Sequence, residues 1–329
     1  MSPNDAAAAD IVLPPPRVEP YRGPPPHEKG PLVFLDYDQI ELDAAYDQQV
    51  YQPNIVQVGK RWASNSARTR ARIGEPERVS YGPTEIERLD IFRAKARAPA
   101  PVFIFIHGGA WIRGEAALYH TPAEMFVRAG AHYVTPDFAW VQDVGGSLFP
   151  IVDQVCRAIA WTCRNAASFG GDPNRIYVGG QSSGAHLTAV ALTTDWTGQY
   201  GLPADPIKGG LCASGMYELA PVRLSARSNY VRFTDETVEK LSPIRHLDQL
   251  RAPLIVSYGT YESPEFQRQA RELAAAANVA GKPVELVVGD NYSHTELLET
   301  LCSPYGHLGA AVLELMDLAR NRFDRRPAD

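Results

Sequence analysis

A serine set between glycines, Gly180-Gln181-Ser182-Ser183-Gly184, is the stretch whose residue types and spacing point most directly to chemistry. The apolar, β-branched run Ile176-Tyr177-Val178 before it reads as a buried strand that stops at Gly179 and Gly180. After Ser182, the residues Ala185, Leu187, Ala189, Val190 and Leu192 follow a helical pattern. G-x-S-x-G between a strand and a helix is the pattern of a nucleophile elbow. The glycines are needed because a side chain at either position would strike the neighbouring backbone of so sharp a turn. Such a turn lifts the Ser182 hydroxyl clear of the sheet and sets it at a helix N-terminus, where negative charge is favoured. Moving the frame to Ser183 puts Gln181 and Ala185 where glycines belong, so Ser182 is the candidate nucleophile. Gly/Ser turns of this kind also join strands to helices without any function, so the elbow has to be weighed with its partners.

A nucleophilic serine needs oxyanion donors, a base and an acid. His107-Gly108-Gly109-Ala110-Trp111 follows the apolar run 101–106, which reads as a strand buried on both faces. The amides of Gly108 and Gly109, with that of Ser183, are candidates for an oxyanion hole. His107 reads as a residue that orients this loop. The order Ser, then Asp or Glu, then His is expected along the chain, with the acid after the next-but-one strand. Leu254–Gly259 is that strand and Glu262 follows it. Glu265, one turn into the next helix, is the competitor and reads as solvated. The strand Val284–Val288 leads into Gly289-Asp290-Asn291-Tyr292-Ser293-His294, which makes His294 the candidate base. His186, on the helix after Ser182, reads as packing, and His307 as a solvated loop residue. Trp111, Trp140, Tyr217, Tyr261 and Tyr292 lie near these loops and are candidates to line an aromatic substrate pocket. A Trp111 ring pointing inward would crowd the acyl side and favour short acyl groups.

The elements needed to hold these residues are legible. Strands alternate with helices at about 120–130, 151–169, 264–280 and 308–322, which predicts an α/β fold with a mostly parallel, doubly wound sheet and helices on both faces. Two strands, 78–82 and 88–92, joined by a Gly-Pro turn, precede it. Residues 36–75 read as helices divided by Pro53, a lid-like segment ahead of the catalytic domain at 76–325. Residues 1–35 are proline-rich and read as an arm lying on that domain. The chain has 329 residues, 45% of them hydrophobic and 21% charged, enough for one large core. A net charge of −6 with no basic block argues against nucleic acid as a partner, and no apolar run is long enough to span a membrane. Cys156, Cys163, Cys212 and Cys302 lack metal-ligand spacing, so no metal and no cofactor is expected. With no signal-peptide pattern at Met1–Asp10, a reduced cytoplasmic protein is expected, and a homodimer is compatible with the chain.

His107-Gly-Gly-Ala-Trp111 together with the elbow resembles the kynurenine formamidase (arylformamidase) branch of the α/β-hydrolase fold, close to the hormone-sensitive-lipase-like esterases. Glu41-Leu-Asp-Ala-Ala-Tyr46, the stretch 81–91, Phe169–Ile176, Gly184-Ala-His-Leu187 and Glu262–Gln269 carry the same resemblance, which runs from about residue 38 to 320. It implies a Ser182–Glu262–His294 triad and a Gly108/Gly109/Ser183 oxyanion hole. It also implies a serine hydrolase acting on a small-molecule ester or aryl amide: carboxylesterase, arylformamidase, or amide, carbamate or lactone hydrolase. A catalytically silent binding module on the same fold is the rival from another class. The chain departs from the family at Ala110, where Tyr is usual, at Gln181 and Ser183, where His and Ala are common, and at Glu262, where Asp is usual. Ala110 is expected to loosen selectivity for a kynurenine substrate.

Overall fold

The alternating pattern is realised in a computed structural model that describes residues 23–96 and 98–318. Most of the expected N-terminal arm (1–22) and the end of the expected final helix (319–322) lie outside the described residues. Three helices come first: α1 (Gln39–Ala45), α2 (Gln48–Tyr51) and α3 (Ile55–Ile73). Asp38 caps α1 by accepting from the Glu41 amide at 2.9 Å, while Glu41 accepts from the Asp38 amide at 3.0 Å. On α3, Val58, Trp62, Ser66 and Thr69 form one buried stripe at helical spacing. The segment 23–35 is pinned to α1 by polar contacts. Asp38 Oδ2 meets the Gly30 amide at 2.8 Å and His27 Nε2 at 2.9 Å, and Lys29 pairs with Glu41.

The strands are β1 (Glu77–Ser80), β2 (Arg88–Phe92), β3 (Ala100–Ile106), β4 (His132–Pro136), β5 (Gly171–Gln181), β6 (Ile207–Ala213), β7 (Leu254–Gly259) and β8 (Val284–Gly289). They form one eight-stranded sheet in the order β1-β2-β4-β3-β5-β6-β7-β8. β1–β2 and β2–β4 pair antiparallel and the rest parallel. The other helices are α4 (Ala123–Ala129), α5 (Phe149–Asn165), α6 (Ser183–Leu192), α7 (Trp196–Tyr200), α8 (Leu219–Arg223), α9 (Asp235–Lys240), α10 (Pro264–Val279), α11 (His294–Glu299) and α12 (His307–Leu315). Alternate residues of β3 serve opposite faces, as the strand period requires. Val102, Ile104 and Ile106 join a core with residues of α5, α6 and α10. Phe103 and Phe105 join a second core with Val58, Trp62, Phe126, Leu297 and Val312. Among the described residues no helix is long and apolar enough to cross a membrane.

Register brings the chemical loops to one edge of the sheet. Ile106 pairs with Gly180, Gln181 with Ala213, and Gly259 with Gly289. The segments after β3, β5, β7 and β8 therefore leave side by side at the carboxyl ends of the strands. The stretch 214–252 shows no legible pattern in the sequence, yet it folds into α8, α9 and 3-10 turns. Its helices are about one turn long, too short for a period to register.

The elbow demands side-chain-free backbone. A Cβ on Gly184 would lie 2.1 Å from the Ile106 carbonyl oxygen and 2.5 Å from that of His107. Gly59, inside α3, has nothing within 4 Å of such a position. Gly184→Ala is therefore expected to destabilise the protein by at least ~1–3 kcal/mol, whereas Gly59→Ala gains ~0.5–1 kcal/mol of helix propensity. Thermal melts of the two variants check this, and equal melting temperatures would contradict the packing described.

His186 is buried on α6, with Nε2 on the Leu241 carbonyl at 2.8 Å and Nδ1 without a partner. Burial pushes its imidazole down to about 4, against a small opposing effect of the Leu241 bond. Unfolded, the ring titrates near its ordinary value, so below about pH 6.5 the unfolded chain takes up a proton that the native protein refuses. This contribution is complete above pH ~6.5 and is lost as pH falls towards 4, amounting to about 3 kcal/mol. Urea unfolding across that range should show a steeper loss for the wild type than for His186→Gln. Parallel curves would contradict it.

Candidate active site

Ser182 stands between β5 and α6 with φ 59° and ψ −126°, a left-handed backbone that a non-glycine residue adopts only when its surroundings impose it. The surroundings are specific. The Ser182 amide donates to Ala213 O at 2.9 Å, and its carbonyl accepts from the amides of Ala185 and His186. A Cβ on Gly180 would lie 2.3 Å from the Gly184 carbonyl oxygen. Both glycines of the pattern are thus required by close backbone approach.

The loop after β3 lies against this turn. A Cβ on Gly108 would sit 2.8 Å from Gln181 O and 3.2 Å from Ser182 Cβ. Gly109 has φ +124°, and Ala110 and Trp111 also have positive φ, at 57° and 63°. The Trp111 amide donates to Ser183 Oγ at 3.3 Å, which ties the loop to the elbow. Among the described residues, the amides of Gly108, Gly109 and Ser183 donate to no protein acceptor. His107 is buried beneath the loop, stacked on Phe138 at 4.2 Å, and its Nδ1 contacts the Gly108 carbonyl at 2.9 Å. Burial lowers its pKa, which suits an uncharged prop.

His294 opens α11, where Ser293 and Glu296 form a capping box. Its Nδ1 lies 2.9 Å from Glu262 Oε2. The other Glu262 oxygen accepts from the Gly259 amide and from Ser214 Oγ, both at 2.6 Å. The carboxylate is therefore fully buried with each oxygen bonded, and the imidazole edge facing it is fixed. Phe266 packs edge-on against the ring at 4.9 Å. Gln181, just before the serine of the elbow, donates from Nε2 to the His294 carbonyl at 3.1 Å.

The N-terminal helices grip the same loops. Gln52 Nε2 donates to Thr295 Oγ1 at 2.6 Å, and Gln52 Oε1 accepts from the Thr295 amide at 3.0 Å. Ser263, next to Glu262, donates to Ala45 O at 2.6 Å and accepts from Gln48 Nε2 at 3.2 Å. Tyr46 donates to Glu265 Oε2 at 2.8 Å. Glu265 is not the solvated residue that the sequence suggests. It is fully buried, because Arg268 chelates both its oxygens and Tyr46 supplies a further donor.

Ser182, Gln181, His294, Gly109 and Ala110 line one cavity of about 530 Å³, together with Tyr46, Gln48, Ile55, Val56, Tyr119, Arg227 and Tyr230 among others. Gly108, Ser183 and Glu262 are not in its lining and stand behind it. The expected aromatic lining lies elsewhere. Trp111 is buried edge-on against His186, at 5.3 Å between ring centroids, so it does not crowd the acyl side. Tyr217 is wholly buried, its hydroxyl donating to Cys212 O. Trp140 is turned away by its bond to Gly114 O, Tyr292 packs on His307, and Tyr261 is also absent from the cavity wall. Nearness to the motif loops in sequence does not tell which side of a loop a ring occupies. Arg227 and Tyr230 went unnoticed in the sequence because they sit in the patternless stretch after β6. His27, Asp38 and Glu41 are the one group of potential metal ligands among the described residues, and their oxygens and nitrogens are already taken up by the contacts that pin segment 23–35.

Comparison with known proteins agrees with this architecture. The family model BD-FAE matches residues 89–200. The chain is 31% identical over 232 residues to a kynurenine formamidase of Danio rerio, covering 68% of this chain and 75% of that protein. It is 28% identical over 241 residues to an isoprenylcysteine alpha-carbonyl methylesterase of Arabidopsis thaliana, covering 67% and 56% respectively. An esterase structure from Pyrobaculum calidifontis superposes with a TM-score of 0.63 at 18% identity, over 83% of this chain and 98% of that one, and so shares the fold. With a doubly wound sheet, a strained serine at the end of β5 and this relationship, the chain is a hydrolase of the α/β-hydrolase fold and belongs to the kynurenine formamidase and hormone-sensitive-lipase-like group.

Proposed function

We propose that the protein is a serine hydrolase that cleaves a small ester or aryl amide through an acyl-enzyme. The observation that carries this reading is the Glu262–His294 contact of 2.9 Å beside a cavity that also exposes Ser182 in a strained turn. Glu262 accepts from Nδ1 of His294, which leaves Nε2 to take the Ser182 proton as Oγ attacks the carbonyl. The amides of Gly108, Gly109 and Ser183 face no competing acceptor and are assigned to the tetrahedral oxyanion. His294 then protonates the leaving alcohol or amine, and water releases the acyl group. An aryl formamide is the favoured amide, because relatives named kynurenine formamidase are among the most similar. The segment 36–75 is assigned the role of a cover, since Tyr46, Gln48, Ile55, Val56 and Gly59 contribute to the cavity wall.

Ser182→Ala is expected to lose on the order of 10⁶ in kcat while keeping its fold. The check is a hydrolysis screen over aryl formamides, aryl acetamides, carbamates and graded p-nitrophenyl esters, run beside fluorophosphonate labelling of the native protein. Failure to label Ser182, or activity of more than a few per cent in a clean variant, would sink the assignment.

Glu262 and Glu265 should separate by readout. Glu262→Gln turns an amide donor towards His294 and is expected to cost roughly 10⁴ in kcat. Glu265→Gln takes from Arg268 its buried anion, leaving it only the half-exposed Glu272, and should appear first in stability, by ~1–3 kcal/mol. Measuring kcat and melting temperature on both variants decides it. A crippled but fully stable Glu265→Gln enzyme would show the acid to be misassigned.

A further inference from the structure

The cavity holds a buried cation with no anion matched to it. Arg227 lies in the 3-10 turn Ala226–Asn229, between α8 and α9, and shares the cavity wall with Ser182 and His294. Only 8% of the residue is exposed. A guanidinium has five N–H donors and keeps its charge at any working pH. Nη2 donates to the Tyr46 carbonyl at 2.7 Å and Nη1 to the Tyr230 hydroxyl at 2.8 Å, both neutral acceptors. Nε is buried and has no acceptor. Among the described residues no carboxylate pairs with Arg227. The acids of the cavity wall bond to other groups: Asp43 Oδ1 accepts from Gln39 Nε2 and the Ala226 amide, and Asp47 Oδ1 from the Gln49 amide. Arg113, also in the wall, is exposed and therefore hydrated.

Elsewhere the fold treats enclosed arginines differently. Arg157, partly withdrawn from water, meets the buried Glu87, and Arg268 meets the buried Glu265. A charge as deep as that of Arg227 is costly to hold without a counter-charge, unless a ligand supplies one. The guanidinium is also held in place, lying 5.7 Å from the ring centroid of Trp111, the residue that anchors the loop beside Ser182.

We propose that Arg227 is a specificity-determining residue that binds a carboxylate carried by the substrate, so that the preferred ester or amide is itself an acid. The inference rests on the reading of Ser182 as nucleophile in this cavity. A planar guanidinium with an unbonded N–H remaining on each of Nη1 and Nη2 matches a carboxylate in shape and charge. One buried cation in a wall that also carries Asp43 and Asp47 suits a single negative charge better than a phosphate dianion.

The test uses pairs that differ only in that charge. On the acyl side, mono-4-nitrophenyl succinate is compared with its methyl ester. On the leaving side, N-formylanthranilate is compared with its methyl ester. In the wild type the acid of at least one pair is expected to exceed its ester by roughly 10–100-fold in kcat/KM, mainly through KM. The ratio should collapse to within about threefold in Arg227→Met and return in part in Arg227→Lys. A purely structural role would lower both members of a pair together and leave the ratio standing, which would overturn the proposal. A measurement that needs no variant is inhibition by benzoate against benzamide, and benzoate is expected to be the stronger competitor. Neutral members equal or better in both pairs, with benzoate no better than benzamide, would remove the Arg227 assignment while Ser182-dependent hydrolysis stood. If instead Ser182 were neither labelled nor required, the hydrolase mechanism would fail. Calorimetric binding of benzoate to the wild type and to Arg227→Met would then decide the anion site alone, with equal affinity for both counting against it.

Discussion

The contact on which the rest of the site depends is made by backbone alone. At the elbow, α6 starts so close to the end of β3 that the Cα of Gly184 faces the carbonyls of Ile106 and His107 with no room for a methyl group. Dense packing leaves no slack to relieve such a contact. The helix is thereby drawn over the sheet, Ser182 is forced to φ 59°, and the Gly108–Trp111 loop is brought against the same turn. Unbonded amides from two different segments converge because two main chains can touch there.

A second constraint is the burial of charge at the other side of the cavity. Glu262 and Glu265 are three residues apart and both are out of water, but they are held by different partners. Glu262 faces inward to Ser214, the Gly259 amide and His294. Glu265 faces Arg268 and Tyr46. Neutralisation by a bidentate arginine makes Glu265 a fixture of packing between α10 and α1. Bonding to an imidazole leaves Glu262 able to steady a charge that comes and goes. The N-terminal helices are therefore integral to the site: Tyr46, Gln48 and Gln52 reach the segments that carry both Glu262 and His294.

Strand–helix alternation, the elbow, the glycine pair after β3 and the order of Ser182, Glu262 and His294 were legible in the sequence because each is a local pattern. Apolar runs and helical periods are set by neighbours along the chain, and a glycine forced by a sharp turn announces that turn. The same local signals placed Pro53 between helices. Glu262 and Glu265 could be nominated by their distance from the end of β7, but their burial could not be read there.

What tertiary structure alone decided was facing and partnership. Trp111, Tyr217 and Tyr292 stand next to the right motifs, yet their rings turn into packing, while Tyr46, Tyr119 and Tyr230 from distant segments reach the cavity. Whether Glu265 is solvated depends on an arginine one turn away and on a tyrosine 219 positions earlier. Arg227 carries no sequence signal at all, since a lone arginine between short helices looks like surface. Its environment is assembled by Tyr46, Trp111 and Tyr230, brought together only when the chain folds. The local sequence determined which elements form and which backbone turns are compulsory. Long-range packing determined which side chains meet, because that depends on distances between segments that no stretch of sequence contains.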